Sequence, residues 1–275
     1  MSNHVRAVDR ALDVLLSFTA DRPALSMSEI AEHIGIHKST VHRLLATLEA
    51  RRFLLRDKSS GTYRLGFQLV ELASVVLGDA DLLRWAGPHV QRLAVACGET
   101  VDLAALDEDH VVYLQVVESP QRLKIAAAVG QRLPAYCTAT GKAFLAFLPD
   151  DHVARVLEAE RVRHTDTTIV NLDDLRRDLA ATRRRGFAIS EQEFEPAVNA
   201  VAAPILDGSA HPVGAIAIVG PSFRMPHERM LILGREILAA TEAITREVGQ
   251  AALSHLTSKV VAPAAPAIPE RKAIR

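Results

Sequence analysis

Lys38, Ser39, Thr40, His42 and Arg43 crowd into six consecutive positions of this 275-residue chain, in the run KSTVHR. A cation, two hydroxyls, an imidazole and a guanidinium at the start of a helix suit phosphate oxygens and base edges, because the backbone N–H groups there add donors of their own. The spacing predicts that helix from about Lys38 to Ala50. Val41, Leu44, Leu45 and Leu48 recur at i, i+3, i+4 and i+7 and so share a buried face. Ser39, His42, Arg43 and Ala46 occupy the opposite face, and Lys38 and Thr40 flank it.

The preceding residues supply the element that positions this helix. Ser26 and Glu29 have the spacing of a capping box, Ser28 follows within the first turn, and Ile30, Ala31 and Ile34 give a short helix its inward stripe. Gly35 tolerates a left-handed backbone, so Gly35, Ile36 and His37 form the turn between the two helices. Amphipathic helix pairs of this kind also occur in proteins that never meet DNA. The residues after Ala50 favour the DNA-binding kind. Phe53–Arg56 and Thr62–Leu65 are β-prone runs about the polar turn Asp57–Gly61, a hairpin placed as a wing, with Lys58 and Arg64 reaching for the phosphate backbone. Ahead of the pair, Val8, Leu12, Leu15 and Phe18 predict the inward face of a third helix. Residues 1–65 therefore read as a winged helix-turn-helix domain whose DNA contacts are Ser28, Lys38, Ser39, Thr40, His42, Arg43, Lys58 and Arg64.

Charge divides the chain at the same place. Residues 1–65 carry a net +3 and the remainder −4, a basic head on an acidic body. One head with so modest an excess would bind weakly. A homodimer, or a dimer of dimers, reading a pseudo-palindromic operator is the expected partner arrangement.

Length favours two domains. No apolar run is long enough to span a membrane, and the N-terminus carries charge in place of a signal peptide, so a cytoplasmic protein is expected. Cys97 and Cys137 lack metal-ligand spacing, the histidines are scattered, and no metal, cofactor or disulfide framework is expected. Residues 66–78 read as a linker helix too apolar to hang free, and residues 81–97 as a second helix holding the sole tryptophan, Trp85, as a packing anchor. Thr100–Leu106 and His110–Val117 predict a hairpin, with Arg122–Ala127 as a third strand. Helices are expected at 138–148, 150–158 and 172–185, strands at 187–193, 198–206 and 213–219, and a long helix at 226–256. Strands and helices in blocks indicate α+β, an antiparallel sheet covered by helices, over residues 79–256. Residues 257–275, rich in Ala and Pro, read as a disordered tail.

Nearly the whole chain resembles the isocitrate lyase regulator (IclR) family of bacterial transcription factors. The resemblance rests on RALDVLLSF (10–18), MSEIAEHIGIHKSTVHRLLATLE (27–49), YRLG (63–66), GQRLPAYCTATGKAFLAFLP (130–149), RRGFAISEQEFEPAVNAVAAPILD (184–207) and VGAIAIVGP (213–221). It implies a GAF-like effector-binding domain that takes a small organic acid, and a repressor or activator whose operator binding the acid modulates. It places the effector against Thr138, Ala139, Thr140 and Gly141, with Ile125, Leu133, Ser190, Glu191, Asn199, Ala200, Ala217 and Val219 around it. Thr138 and Thr140 also fit as plain helix caps.

Departures from the family pattern bear on the ligand. Acid-sensing members carry an acidic residue and a cysteine near Ser190 and Ala200, and small polar residues on the strand matching Ala215–Val219. This chain has fewer hydroxyls there, which suits an organic acid with a larger apolar or aromatic part, its acid group held at Thr140 and the helix start. Arg52 replaces the usual glycine before the wing, where it could add a phosphate contact or alter the wing angle. Ligand and DNA would be coupled through the helix at 66–77. Two rival readings use cysteine chemistry. In one, Cys137 is a nucleophile with a histidine such as His152 or His211; in the other, Cys97 and Cys137 form a redox sensor. The sequence supplies no signature for the base and orienting group that the first requires.

Overall fold

In the computed structural model, which describes residues 5–19, 21–78, 81–158 and 160–261, the chain forms two compact units, residues 1–80 and 81–275. The first unit holds α1 (Arg6–Leu16), α2 (Met27–Ile34), α3 (Lys38–Ala50), β1 (Leu54–Arg56), β2 (Tyr63–Leu65) and α4 (Gln68–Gly78). The capping box forms as its spacing predicts. The Glu29 amide donates to Ser26 Oγ at 3.3 Å, and the Ser26 amide donates to the Glu29 carboxylate at 2.7 Å. Gly35 takes φ +66°, and the Gly35 and Ile36 amides fold back onto Glu32 and Ala31 carbonyls. Ile30, Val41, Leu45 and Leu54 are fully buried between the helices and the wing. The wing pairs Leu54 with Leu65, and Leu25 adds a bridge to Tyr63 through two backbone bonds of 3.0 and 2.7 Å.

The inward face of α1 differs from the expectation. Val14 and Phe18 enter the core and Leu15 packs partly against it, but Val8 and Leu12 are 55% and 51% exposed. The helix carries two apolar stripes, since Val5, Val8, Leu12 and Leu16 also recur at helical spacing on an exposed face. Periodicity alone does not say which stripe meets α3.

The second unit runs α5 (Asp81–Cys97), β3 (Thr100–Asp107), β4 (His110–Val117), β5 (Arg132–Pro134), α6 (Ala139–Leu145), α7 (Asp150–Glu158), α8 (Leu172–Arg185), β6 (Ala188–Glu191), β7 (Val198–Leu206), β8 (Pro212–Pro221) and α9 (His227–Val261). Its sheet is antiparallel throughout, in the order β5-β4-β3-β8-β7-β6. Side-chain alternation gives the two faces opposite characters. Val101, Leu103, Val201, Ile216 and Ile218 fill one face and pack with Ala86, Val90 and Leu93 of α5 and Met230, Leu233 and Ile237 of α9. Trp85 packs at the margin of this core. The other face is built of Ala104, Ala188, Ala202, Ala215 and Ala217, and there α6 lies close. All seven residues of α6 are buried.

The expected strand at Arg122–Ala127 is absent. This segment is irregular, and the edge strand is β5, paired with His110–Val112. Gly130, at φ +83°, turns the chain back so that its amide donates to the Tyr113 carbonyl at 2.7 Å, and the Thr100 hydroxyl holds the Ile125 carbonyl at 3.1 Å. The apolar residues that suggested a strand instead line a cavity. Helix α9 continues to Val261, past the expected end at Leu256 and into the first residues of the expected tail; residues 262–275 lie outside the described residues. Among the described residues no helix is long and apolar enough to cross a membrane.

Candidate DNA-reading surface and ligand cavity

Burial of Val41, Leu45 and Leu48 turns the other side of α3 outward. Lys38, Ser39, His42 and Arg43 are exposed, and Ser28 is exposed at the start of α2. Thr40 is half-buried and shares a groove between α3 and α1 with Arg43, Arg6 and Arg10. The N-cap of α3 is His37, whose Nδ1 lies 3.1 Å from Ser39 Oγ. Lys58 and Arg64 are exposed on the wing. The wing turn is built around Asp57, which accepts from the Ser59 amide at 2.8 Å and the Ser59 hydroxyl at 2.6 Å; these bonds bring its carboxyl down to about 2. The Arg56 guanidinium lies over the Tyr63 ring, 5.7 Å from its centre.

Arg52 sits at φ +63°, a left-handed backbone that glycine adopts without steric cost. Its guanidinium does not extend away as a spare phosphate ligand. Nη2 donates to Glu71 of α4 at 3.1 Å.

In the second unit, a cavity of about 70 Å³ that opens to solvent lies between the alanine face of the sheet and the start of α6. Ile125, Leu133, Thr138, Ala139, Thr140, Ser190, Ala200, Ala217 and Val219 all line it. Three expected residues do not. Strand alternation points Glu191 and Asn199, which pair with each other across β6 and β7, to the other side of their strands. There Glu191 meets His227 Nδ1 at 2.9 Å and Asn199 donates to the Met225 carbonyl at 2.9 Å. Gly141 is one residue past the lining. A Cβ there would lie 2.2 Å from the Ala135 backbone, so this glycine permits the close approach that seats α6. Thr138 caps the helix, accepting from the Gly141 amide at 3.2 Å while donating to the Pro134 carbonyl at 2.9 Å.

Sequence reasoning missed Asp102, Tyr113, Ala126, Ala127, Gln131, Phe194, Glu195 and Val198, which complete the lining. Asp102 carried a signal: it is the one charged residue inside the apolar run TVDLAAL, opposite Ala217 on the central pair of strands. Its side chain is buried, and among the described residues neither oxygen has a hydrogen-bond partner. Burial pushes its carboxyl up to about 8. The Tyr113 phenol is also raised, first by burial and then by Asp102.

Behind the cavity, Lys142 of α6 is wholly buried and pairs with Glu193 at 2.5 Å and Asp178 at 2.9 Å. Cys137 is buried, and burial pushes its thiol up to about 12, the reverse of what a nucleophile needs. His152 and His211 line a different hollow, with Leu106 and Phe144, and no hydrogen bond joins Cys137 to a histidine among the described residues. The Cys97 thiol is raised too, chiefly by burial.

Comparison with known proteins supplies the family context. Residues 7–58 match the IclR helix-turn-helix domain, and residues 74–246 match the bacterial transcriptional regulator IclR C-terminal domain. The chain is 30% identical over 251 residues to the transcriptional repressor IclR of Escherichia coli strain K12, covering 90% of this chain and 92% of that one. Among solved structures it is similar to the IclR of Thermotoga maritima, at 30% identity and TM-score 0.77, covering 90% of this chain and all of that one. It is also similar to an IclR homologue from Microbacterium hydrocarbonoxydans complexed with 4-hydroxybenzoate, at 27% identity and TM-score 0.77, covering 88% and 99%.

Proposed function

Since the chain belongs to the IclR family of bacterial transcriptional regulators, we propose that its α3 face and wing read operator DNA under the control of a small organic molecule held in the cavity beside α6. It is a regulator and not an enzyme, as are its relatives. The observation that carries the effector reading is the cavity itself, a mostly apolar space with Thr138, Thr140 and Ser190 at its walls, on the face of the sheet opposite the packed core. The alanines make that space: on the other face of the same strands, Ile, Val and Leu pack against α5 and α9. An aromatic or otherwise apolar-bodied acid suits such walls, and the 4-hydroxybenzoate held by the Microbacterium relative is of that class.

The DNA contacts are Ser28, Lys38, Ser39, Thr40, His42 and Arg43 from the helix pair, with Lys58 and Arg64 on the phosphates beside it. A cytoplasmic homodimer or dimer of dimers brings two or more of these heads to a pseudo-palindromic operator. The ligand then shifts DNA binding by its differential affinity for the DNA-competent and DNA-free arrangements, typically about 1 to 3 kcal/mol.

The test is binding of the full chain to its own upstream DNA across a salt series, with and without a panel of aromatic and aliphatic acids. Sequence-specific binding that weakens steeply with salt and changes with one acid is the expected result. Binding indifferent to sequence at every salt concentration would refute the DNA-reading assignment, and operator binding indifferent to every acid would refute the effector class.

A further inference from the structure

Asp102 is buried in the wall of the cavity, and among the described residues neither of its oxygens has a hydrogen-bond partner. A buried polar group is normally hydrogen-bonded, and leaving one unpaired costs stability. A carboxyl that serves the fold is paired, as Glu99 is in the same unit: it is equally buried and held by Arg224 at 2.6 and 2.8 Å and by Arg229 at 3.2 Å. Asp102 has nothing comparable. Across β8 it faces Ala217, the adjoining walls are Ala200 and Val219, and the titratable group beside it is the Tyr113 phenol. No lining residue is basic among those described, and the one other charged lining residue is acidic, the exposed Glu195. Beside the Tyr113 phenol, this wall of an alanine-floored cavity therefore presents a carboxyl with open valences.

We propose that Asp102 is the specificity-determining residue of the effector cavity, and that it receives a hydrogen-bond donor, a hydroxyl or an amino group, carried on the apolar body of the ligand. This rests on the effector reading above and narrows it. A hydrocarbon end would leave both carboxyl oxygens unpaired on binding. A bare carboxylate end would meet a wall with no cation and could bond only to the protonated acid, losing that bond once Asp102 ionises. A hydroxyl donates to the carboxylate, and it both donates to and accepts from the protonated acid, so it fits either state; a protonated amine fits the carboxylate alone. A site built to bond a donor rejects the analogue that lacks it far more strongly than an apolar wall rejects an extra methyl group.

The experiment is calorimetric titration of the full chain with benzoates, cyclohexanecarboxylates and straight-chain six-carbon acids. Each acid is supplied as hydroxyl, amino and methyl twins, and operator binding is followed in the same preparations. The expected result is a donor-bearing twin binding at least about tenfold more tightly than its methyl twin, with the ratio falling towards one in Asp102→Leu. Comparison of hydroxyl with amino twins identifies the donor. Methyl twins that bind as tightly as their donor twins, or a preference that survives in both Asp102→Leu and Asp102→Asn, overturn the assignment of Asp102. If such a methyl twin also alters operator binding, the effector reading stands without it. No binding by any twin at millimolar concentration, with operator binding intact and unchanged, overturns both.

Discussion

Arg52 ends the helix-turn-helix in a left-handed conformation and reaches Glu71 of α4 at 3.1 Å, so this left-handed residue is tied to the following helix. Both side chains are more than half exposed, at 65% and 54%, and such a pair contributes at most about 1 kcal/mol. The left-handed backbone costs a non-glycine residue roughly 1–2 kcal/mol. Arg52→Gly therefore loses the pair and relieves the backbone, and its thermal unfolding should stay within about 1 kcal/mol of the parent. Arg52→Val, branched at Cβ, should lose roughly 1–2 kcal/mol. Because the guanidinium is engaged with Glu71, Arg52→Gly should also leave the salt dependence of operator binding unchanged. A slope lowered by a full phosphate's worth would show that Arg52 leaves Glu71 for DNA.

Lys58 and Arg64 are exposed on a wing whose turn is fixed by Asp57. Replacing either with Ala should weaken binding to all sequences alike and lower the salt slope by about 0.9 for each phosphate no longer neutralised. Arg43→Ala, on the outward face of α3, should instead relax discrimination between operator and altered sites, by roughly 1–3 kcal/mol if it reads a base edge. Titrations at four salt concentrations on operator and scrambled DNA separate the two behaviours. Identical slopes in parent and both wing variants would remove the wing from the interface.

The helix-turn-helix was legible because each of its signals is local: the capping box, the left-handed glycine and the i, i+3, i+4, i+7 stripe of α3 each involve neighbours in the chain. The burial of α1 was not, since its two apolar stripes are equivalent until α3 selects one. The cavity was half legible. The resemblance named the segment at Thr138 and the strand positions, but period-two alternation, applied strictly, would have removed Glu191 and Asn199 once Ser190 and Ala200 were placed inward. The loop from Arg122 to Gln131 was misread because apolar residues that line a space and apolar residues that pair in a strand have the same composition. Asp102 could have been noticed as a charge inside a buried strand, but that it has no partner among the described residues is a fact of tertiary structure.

Lys142 should prove a residue the effector domain cannot lose singly. It is fully buried between Glu193 and Asp178, and burial raises the Glu193 carboxyl against the lowering effect of Lys142. Lys142→Met removes the cation and leaves two acidic groups facing each other, which should cost about 3–5 kcal/mol in urea unfolding of the second unit. Adding Glu193→Gln removes one of the stranded charges and should recover part of that loss. Equal stability of the single and double variants would mean that Lys142 acts by filling space and not by charge.

Asp102 makes the stability of the second unit depend on pH in an unusual direction. Its carboxyl titrates at about 8 in the folded protein, against an ordinary value of 3.8. Between those values the folded state keeps a proton that the unfolded state has released. Stability is therefore lost as pH rises through this window and levels off above about 8, by as much as roughly 6 kcal/mol if the site does not relax. Paired carboxylates, whose values are lowered, behave oppositely, and their contribution disappears on acidification. Asp102→Asn has no proton to keep, so the difference between its urea midpoint and the parent's isolates this one group from the others that titrate. The variant should gain on the parent steadily from pH 5 to pH 8. Parallel midpoints across that range would mean that Asp102 ionises at its ordinary value, with water or a neighbouring donor reaching the carboxylate in the folded protein.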